Sequence, residues 1–157
     1  MKNTRVLDPV LPGHLDHRMM KLLGYHLAQA SIPTNTAFKK YIGTAFQLNK
    51  VEFTILMLVA SNETVTPKRL SIAINVPAPN LTIVLDNLEK RELIARSRSE
   101  TDRRVQYVNL TPKGLTMVDD MNAVTEPMEQ ELLKHLTSAE RAMLFELLKK
   151  VALHRRI

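Results

Sequence analysis

Apolar positions along this chain follow a helical repeat nearly everywhere and a strand-like pattern in one stretch, residues 92–114. From His14 the residues Leu15, Met19, Leu22, Leu23, Leu27 and Ala30 recur at helical spacing. Pro33 predicts a stop before it, giving a first helix of roughly five turns. Phe38, Tyr41, Ile42 and Ala45 predict a shorter second helix over 34–46, with Gly43 near its end. Asn49 followed by Glu52 has the form of a capping box. The helix it opens, 50–61, is apolar on several sides and belongs in the middle of a lobe.

Thr66-Pro67 is another start signal, a side-chain cap followed by a proline that fits the first helical turn. It predicts a short helix over 67–74, a turn at Asn75-Val76-Pro77, and an amphipathic helix over 79–91. That second helix carries Leu81, Val84, Leu85 and Leu88 on one face and Asn80, Ile83 and Asn87 on the other, with Thr82 and Asp86 at the flanks. Two helices joined by so short a turn form a helix-turn-helix pattern. Thr111-Pro112 caps a long helix that ends near His135, kinked where Pro127 removes one backbone hydrogen bond. Thr137 and Glu140 form a second capping box ahead of a last helix with Met143, Leu144, Leu147, Leu148 and Val151 on its apolar side.

Between these helices, 93–98 and 105–110 read as two short strands around a polar tip that carries Arg103 and Arg104. The fold class is therefore mainly α with a small β ribbon. Charge sharpens the picture. The chain has a formal charge of +6, and 90–113 holds seven basic residues against three acidic ones. A local concentration of that kind fits a polyanion partner better than an overall basic composition does. Residues 1–13, with Pro9, Pro12 and Gly13, read as an extended arm.

Other chemistry is sparse. With no cysteine, disulfides and thiolate metal sites are excluded. Only four glycines are present, with no phosphate-binding loop, nucleophile elbow or carboxylate pair tied to a cleft, so no enzyme is expected and no cofactor. No apolar run approaches the length of a membrane span, and the first residues do not read as a signal peptide, which makes the cytoplasm the expected location.

The order of these elements resembles the MarR family of winged helix-turn-helix transcription regulators. The resemblance rests chiefly on Ser99, Asp102, Arg104, Val108, Leu110, Thr111 and Gly114, which fit the family's wing pattern of Ser-x-x-Asp-x-Arg, Val, then Leu-Thr-x-x-Gly. Leu85-Asp86-Asn87-Leu88-Glu89-Lys90-Arg91 is similar to the family's recognition-helix ending, and together with helix order the likeness extends over about 14–155. It implies a winged helix-turn-helix lobe over 34–111, and a helical dimerisation region formed by 14–33 and 112–157. It also implies a homodimer on double-stranded DNA, with Asp102 pairing with Arg104 and aiming it into a minor groove. Arg103 would touch phosphate or share the groove.

Three positions depart from the family pattern. Where many relatives have a serine cap, a basic outer residue and a glycine, this chain has Pro77, Ile83 and Glu92. Pro77 cannot cap with a side chain, and Glu92 makes the turn into the first strand less relaxed. The recognition helix is then expected to read bases through Asn80, Thr82, Ile83 and Asn87. Phosphate attraction falls to Lys68, Arg69, Arg96, Arg98 and the wing.

Relatives commonly release DNA when a small ligand binds between the DNA-binding lobe and the dimer helices. Such a ligand here would be an aromatic acid or its thioester. His14, His17, Arg18, Lys21 and Tyr25 are the candidate polar contacts, and Phe38, Tyr41, Phe53 and Met57 the candidate apolar walls. His14 and His17, with Asp16 beside them, lack the further ligands a metal site needs, and no metal is expected. The expected function is a ligand-responsive transcription regulator, a repressor on a palindromic operator. The alternative is a winged-helix module that binds protein instead of specific DNA.

Overall fold

The computed structural model describes residues 17–98, 102 and 104–154, with only the backbone described at His17 and Arg18. The expected arm over 1–13 lies outside the described residues. In chain order there follow a 3-10 turn at His17–Lys21, α1 (Leu23–Phe38), a π-helical segment at Lys39–Gly43, α2 (Thr44–Phe46), α3 (Lys50–Ala60), α4 (Pro67–Ile74), α5 (Ala78–Lys90), β1 (Ile94–Arg98), β2 (Gln106–Leu110), α6 (Pro112–Leu132) and α7 (Ser138–Leu153). The chain divides into two units, 1–35 and 36–157.

The expected stop at Pro33 is corrected: α1 runs through it to Phe38. Proline removes one N–H and crowds one carbonyl, a local cost that a helix can absorb when the apolar repeat resumes beyond it. The expected second helix is divided accordingly among the end of α1, the π segment and α2. α6 likewise continues through Pro127. In the first unit, His26 Nε2 donates to the Met20 carbonyl at 2.7 Å, tying the start of α1 to the 3-10 turn.

The second unit is built where local signals and burial agree. Asn49 and Glu52 form the reciprocal capping box of α3, with contacts of 2.8 and 2.9 Å. Thr66, Thr111 and Thr137 cap α4, α6 and α7 with their hydroxyls. Pro77 at the start of α5 makes no side-chain cap, as its chemistry requires. The core comprises Ile42, Ile55, Leu56, Leu70, Leu81, Leu85, Leu88, Leu93, Ile94, Val108 and Met121, all essentially without solvent contact. It joins α3, α4 and α5 to the ribbon and to α6, which fixes the position of α5 relative to the strands.

β1 and β2 pair antiparallel, Ile94 opposite Leu110 and Arg98 opposite Gln106. The Val108 amide also donates to the Val65 carbonyl at 2.8 Å, anchoring the ribbon to the loop ahead of α4. Its base is closed by the Thr111 hydroxyl, which donates to the Glu92 carbonyl at 2.5 Å. Gly114 sits so close that a Cβ there would lie 2.0 Å from the Leu93 carbonyl oxygen. The glycine in the Leu-Thr-x-x-Gly pattern is thus required by backbone approach. Glu92 takes φ 60, the left-handed conformation in which a glycine would be unstrained, in keeping with the tighter turn expected there.

Candidate nucleic-acid interface

The outward row of α5 follows from its buried one. Leu81, Leu85 and Leu88 are inside, and helical geometry then turns Asn80, Ile83 and Asn87 away from the core, where all three are exposed. Thr82 is exposed too, but its hydroxyl donates to the Ala78 carbonyl at 3.0 Å, leaving it only acceptor capacity outward. On α4, Lys68 and Arg69 are exposed, and Arg69 Nη1 donates to the Thr64 carbonyl at 2.5 Å. That contact occupies one edge of its guanidinium.

In the ribbon, residues two apart share a face. Ile94 points into the core, so Arg96 points the same way, toward α5. There Arg96 Nη2 donates to Asp86 Oδ1 at 2.5 Å, and its Nε lies 3.7 Å from a Glu89 oxygen. The Arg96 backbone amide also donates to Glu89 Oε1 at 3.3 Å. Arg96 is only 19% exposed. Arg96, expected among the phosphate-attracting residues, is held against α5 in this structure and ties β1 to that helix. Strand parity, combined with two carboxylates three residues apart on α5, is the signal that marks this role in the sequence.

Two other cations of the basic stretch also have internal partners. Arg91 donates to the Gln47 and Phe46 carbonyls at 2.9 and 3.0 Å, closing the end of α2. Lys113 donates to the Arg91 carbonyl at 2.9 Å. Lys90, Arg98 and Arg104 are exposed, while Arg103 and Ser99 lie outside the described residues. The basic concentration read from the sequence is thus partly structural.

At the wing tip the Arg104 amide donates to Asp102 Oδ1 at 2.9 Å, and the Val105 amide donates to the Asp102 carbonyl at 2.9 Å. Asp102 shapes the turn from which Arg104 projects, acting through the backbone of Arg104. The Arg104 backbone amide is thus one partner of the Asp102 carboxylate.

Among the candidate effector residues, His14 lies outside the described residues. His17 is in the 3-10 turn with Arg18, and Lys21 and Tyr25 belong to the first unit. Phe38, Tyr41, Phe53 and Met57 belong to the second, all partly buried against its core. Phe38 and Phe53 meet edge to face at 5.6 Å. The Tyr41 hydroxyl donates to Glu131 Oε2 at 2.5 Å while Lys40 Nζ donates to the same oxygen at 2.6 Å. The Lys40 and then the Tyr41 hydrogen bonds hold the Glu131 carboxyl below its ordinary range. Among the described residues, no group of three or more His, Cys, Asp or Glu is placed to hold a metal ion, and no single helix is long and apolar enough to cross a membrane.

A model of the MarR family matches residues 48–105, which span α3, the helix-turn-helix and β1 and reach past the wing tip. The HTH-type transcriptional regulator MhqR of Bacillus subtilis is 32% identical over 107 residues, 68% of this chain and 74% of that protein. The chain belongs to the MarR family. Its structure is similar to that of the transcriptional repressor CouR bound to a 23-mer DNA duplex, with TM-score 0.81 and 28% identity over 88% of this chain and 99% of that one. It is also similar to BpsR of Bordetella bronchiseptica, whose DNA binding is regulated by 6-hydroxynicotinic acid, with TM-score 0.77 and 25% identity over 88% and 98% of the two chains. This MarR-family chain is a DNA-binding transcription regulator with a winged helix, and MarR regulators are not enzymes. In that frame α5 is the recognition helix and the β1–β2 ribbon the wing.

Proposed function

We propose that this regulator is a cytoplasmic homodimeric repressor that holds a palindromic operator and releases it when a small effector binds. The observation that carries the reading is the joint one on α5 and the wing: an exposed row of Asn80, Ile83 and Asn87 stands on the same body as Arg104, with Arg96 linking helix and strand. Base edges would be read by that row and Thr82. Lys68, Arg69 and Arg98 would face phosphates, and Asp102 would present Arg104 beside Arg103 to the minor groove.

Support for the dimer comes from α1 and α7, neither of which has a buried residue. On α7, Met143, Phe145, Leu147 and Val151 are each about half exposed. A helix with so much apolar surface gains little by folding alone, and a second copy of the chain would cover it. The dimerisation region is then 14–33 with 112–157, the DNA-binding lobe 34–111 and the arm 1–13. Two-fold symmetry would set the recognition helices in successive major grooves, about 34–36 Å apart.

The effector reading draws on BpsR, regulated by an aromatic acid, and on side-chain chemistry. His14, His17, Arg18, Lys21 and Tyr25 have side chains suited to a carboxylate, and Phe38, Tyr41, Phe53 and Met57 side chains suited to an aromatic ring. The test is a gel shift on DNA from upstream of the chain's own gene, titrated with aromatic acids and their thioesters. Release by one compound is expected. A shift that every compound leaves intact overturns the effector class, and no shift at low salt overturns the operator reading.

A further inference from the structure

The outward chemistry of α5 is selective. Asn80, Ile83 and Asn87 fall at i, i+3 and i+7, one stripe of the helix, and all three are exposed, Ile83 to 61%. In the major groove, guanine is read by arginine or lysine at O6 and N7, and cytosine by a carboxylate that accepts from N4. Adenine is read by asparagine or glutamine at N6 and N7, and thymine by apolar contact with its methyl group. The only cation on α5 is Lys90, its last residue. The two carboxylates of α5, Asp86 and Glu89, both face Arg96. Apart from Lys90 in the last turn, α5 therefore offers no guanine reader, its cytosine readers are engaged by Arg96, and two adenine readers flank one thymine reader.

The wing points the same way for a different reason. Arg104 is exposed on a turn shaped by Asp102. An arginine entering a minor groove is drawn to the narrow, strongly negative groove of A-tracts, and the guanine 2-amino group interrupts that groove.

We infer that this regulator selects an operator half-site built of A·T pairs, read through adenine N7 and N6 and the thymine methyl by α5, and through groove width by the wing. The inference rests on α5 and the wing being the DNA-contacting elements. Ile83 is then a specificity-determining residue rather than a stray exposed apolar side chain.

The experiment starts from selection of duplexes with a randomised central segment by the full-length chain, followed by gel shifts on the enriched duplex with base analogues. Enriched half-sites should be dominated by A·T pairs. Replacing thymine by uracil removes one methyl and should weaken wild-type binding roughly fourfold at the contacted position, while costing the Ile83→Ala variant nothing there. Placing 7-deazaadenine at the contacted adenine should cost about fivefold or more, and that penalty should vanish in Asn80→Ala or in Asn87→Ala. In the flank, a G·C pair should weaken binding and an inosine·C pair should restore it. Enrichment of half-sites dominated by G·C, or wild-type binding indifferent to uracil and to 7-deazaadenine, overturns the inference while leaving DNA binding intact. No enrichment of any sequence would instead overturn the contact assignment on which it rests.

Discussion

Arg96 on the first wing strand and Asp86 on the recognition helix meet at 2.5 Å. Glu89 lies 3.7 Å from the Nε of the same guanidinium, so the wing is joined to α5 by one cation held by two carboxylates. Removing the cation leaves those carboxylates facing each other. Arg96→Met should lower stability by about 1–2 kcal/mol, the range for hydrogen bonds to charged groups discounted for the half-exposed Asp86. Operator affinity should fall as well, because Arg96 holds the wing against α5. Urea unfolding and gel shifts on Arg96→Met, Asp86→Asn and the double variant measure both effects. Strictly additive losses would mean that the two side chains do not act as a unit.

Gly114 separates backbone approach from helix propensity. Gly114→Ala drives a methyl against the Leu93 carbonyl and should destabilise the wing base by about 3 kcal/mol. Gly24→Ala, where nothing lies within 4 Å, should not destabilise at all, since alanine is the better helix former. Thermal melts of the two variants test this pair, and equal losses would remove the packing explanation.

What the sequence disclosed was the chemistry that acts over a few residues. Caps at Asn49, Thr66, Thr111 and Thr137 are legible because hydroxyl or amide oxygen, backbone N–H and helix start lie within one turn. Pro33 was not legible, because whether a helix stops or absorbs a proline depends on what packs beyond it, and the repeat resuming at Ala37 and Phe38 outweighs the break. The tie between Arg96 and α5 was not legible because its partners are seven and ten residues away, on another element. Only the strand register, with Ile94 inward, turns it toward Asp86 and Glu89. The Lys40, Tyr41 and Glu131 cluster spans some ninety residues and left no local trace.

That cluster gives a dependence on pH. Glu131 is held below its ordinary 4.5, first by Lys40 and then by Tyr41. A folded pKa below the unfolded one means stability that is present above the unfolded value and is lost as pH falls through the folded value. Glu131→Gln should therefore lower the urea midpoint at pH near 7, and the gap to wild type should close as acidification protonates the Glu131 carboxyl. Added salt should narrow the gap at neutral pH, since the groups are exposed. A gap that persists in acid would assign the effect to packing.

The proposed division of labour between an uncharged row of Asn80, Ile83 and Asn87 on α5 and a cationic wing is tested most directly by the salt dependence of operator binding. With affinity measured by gel shift over a series of salt concentrations, Arg104→Ala should reduce the slope of log affinity against log salt by about one for each wing in contact. Ile83→Ala should weaken binding and leave the slope as it is in the wild type. An unchanged slope in Arg104→Ala, or an equal drop in Ile83→Ala, would contradict it.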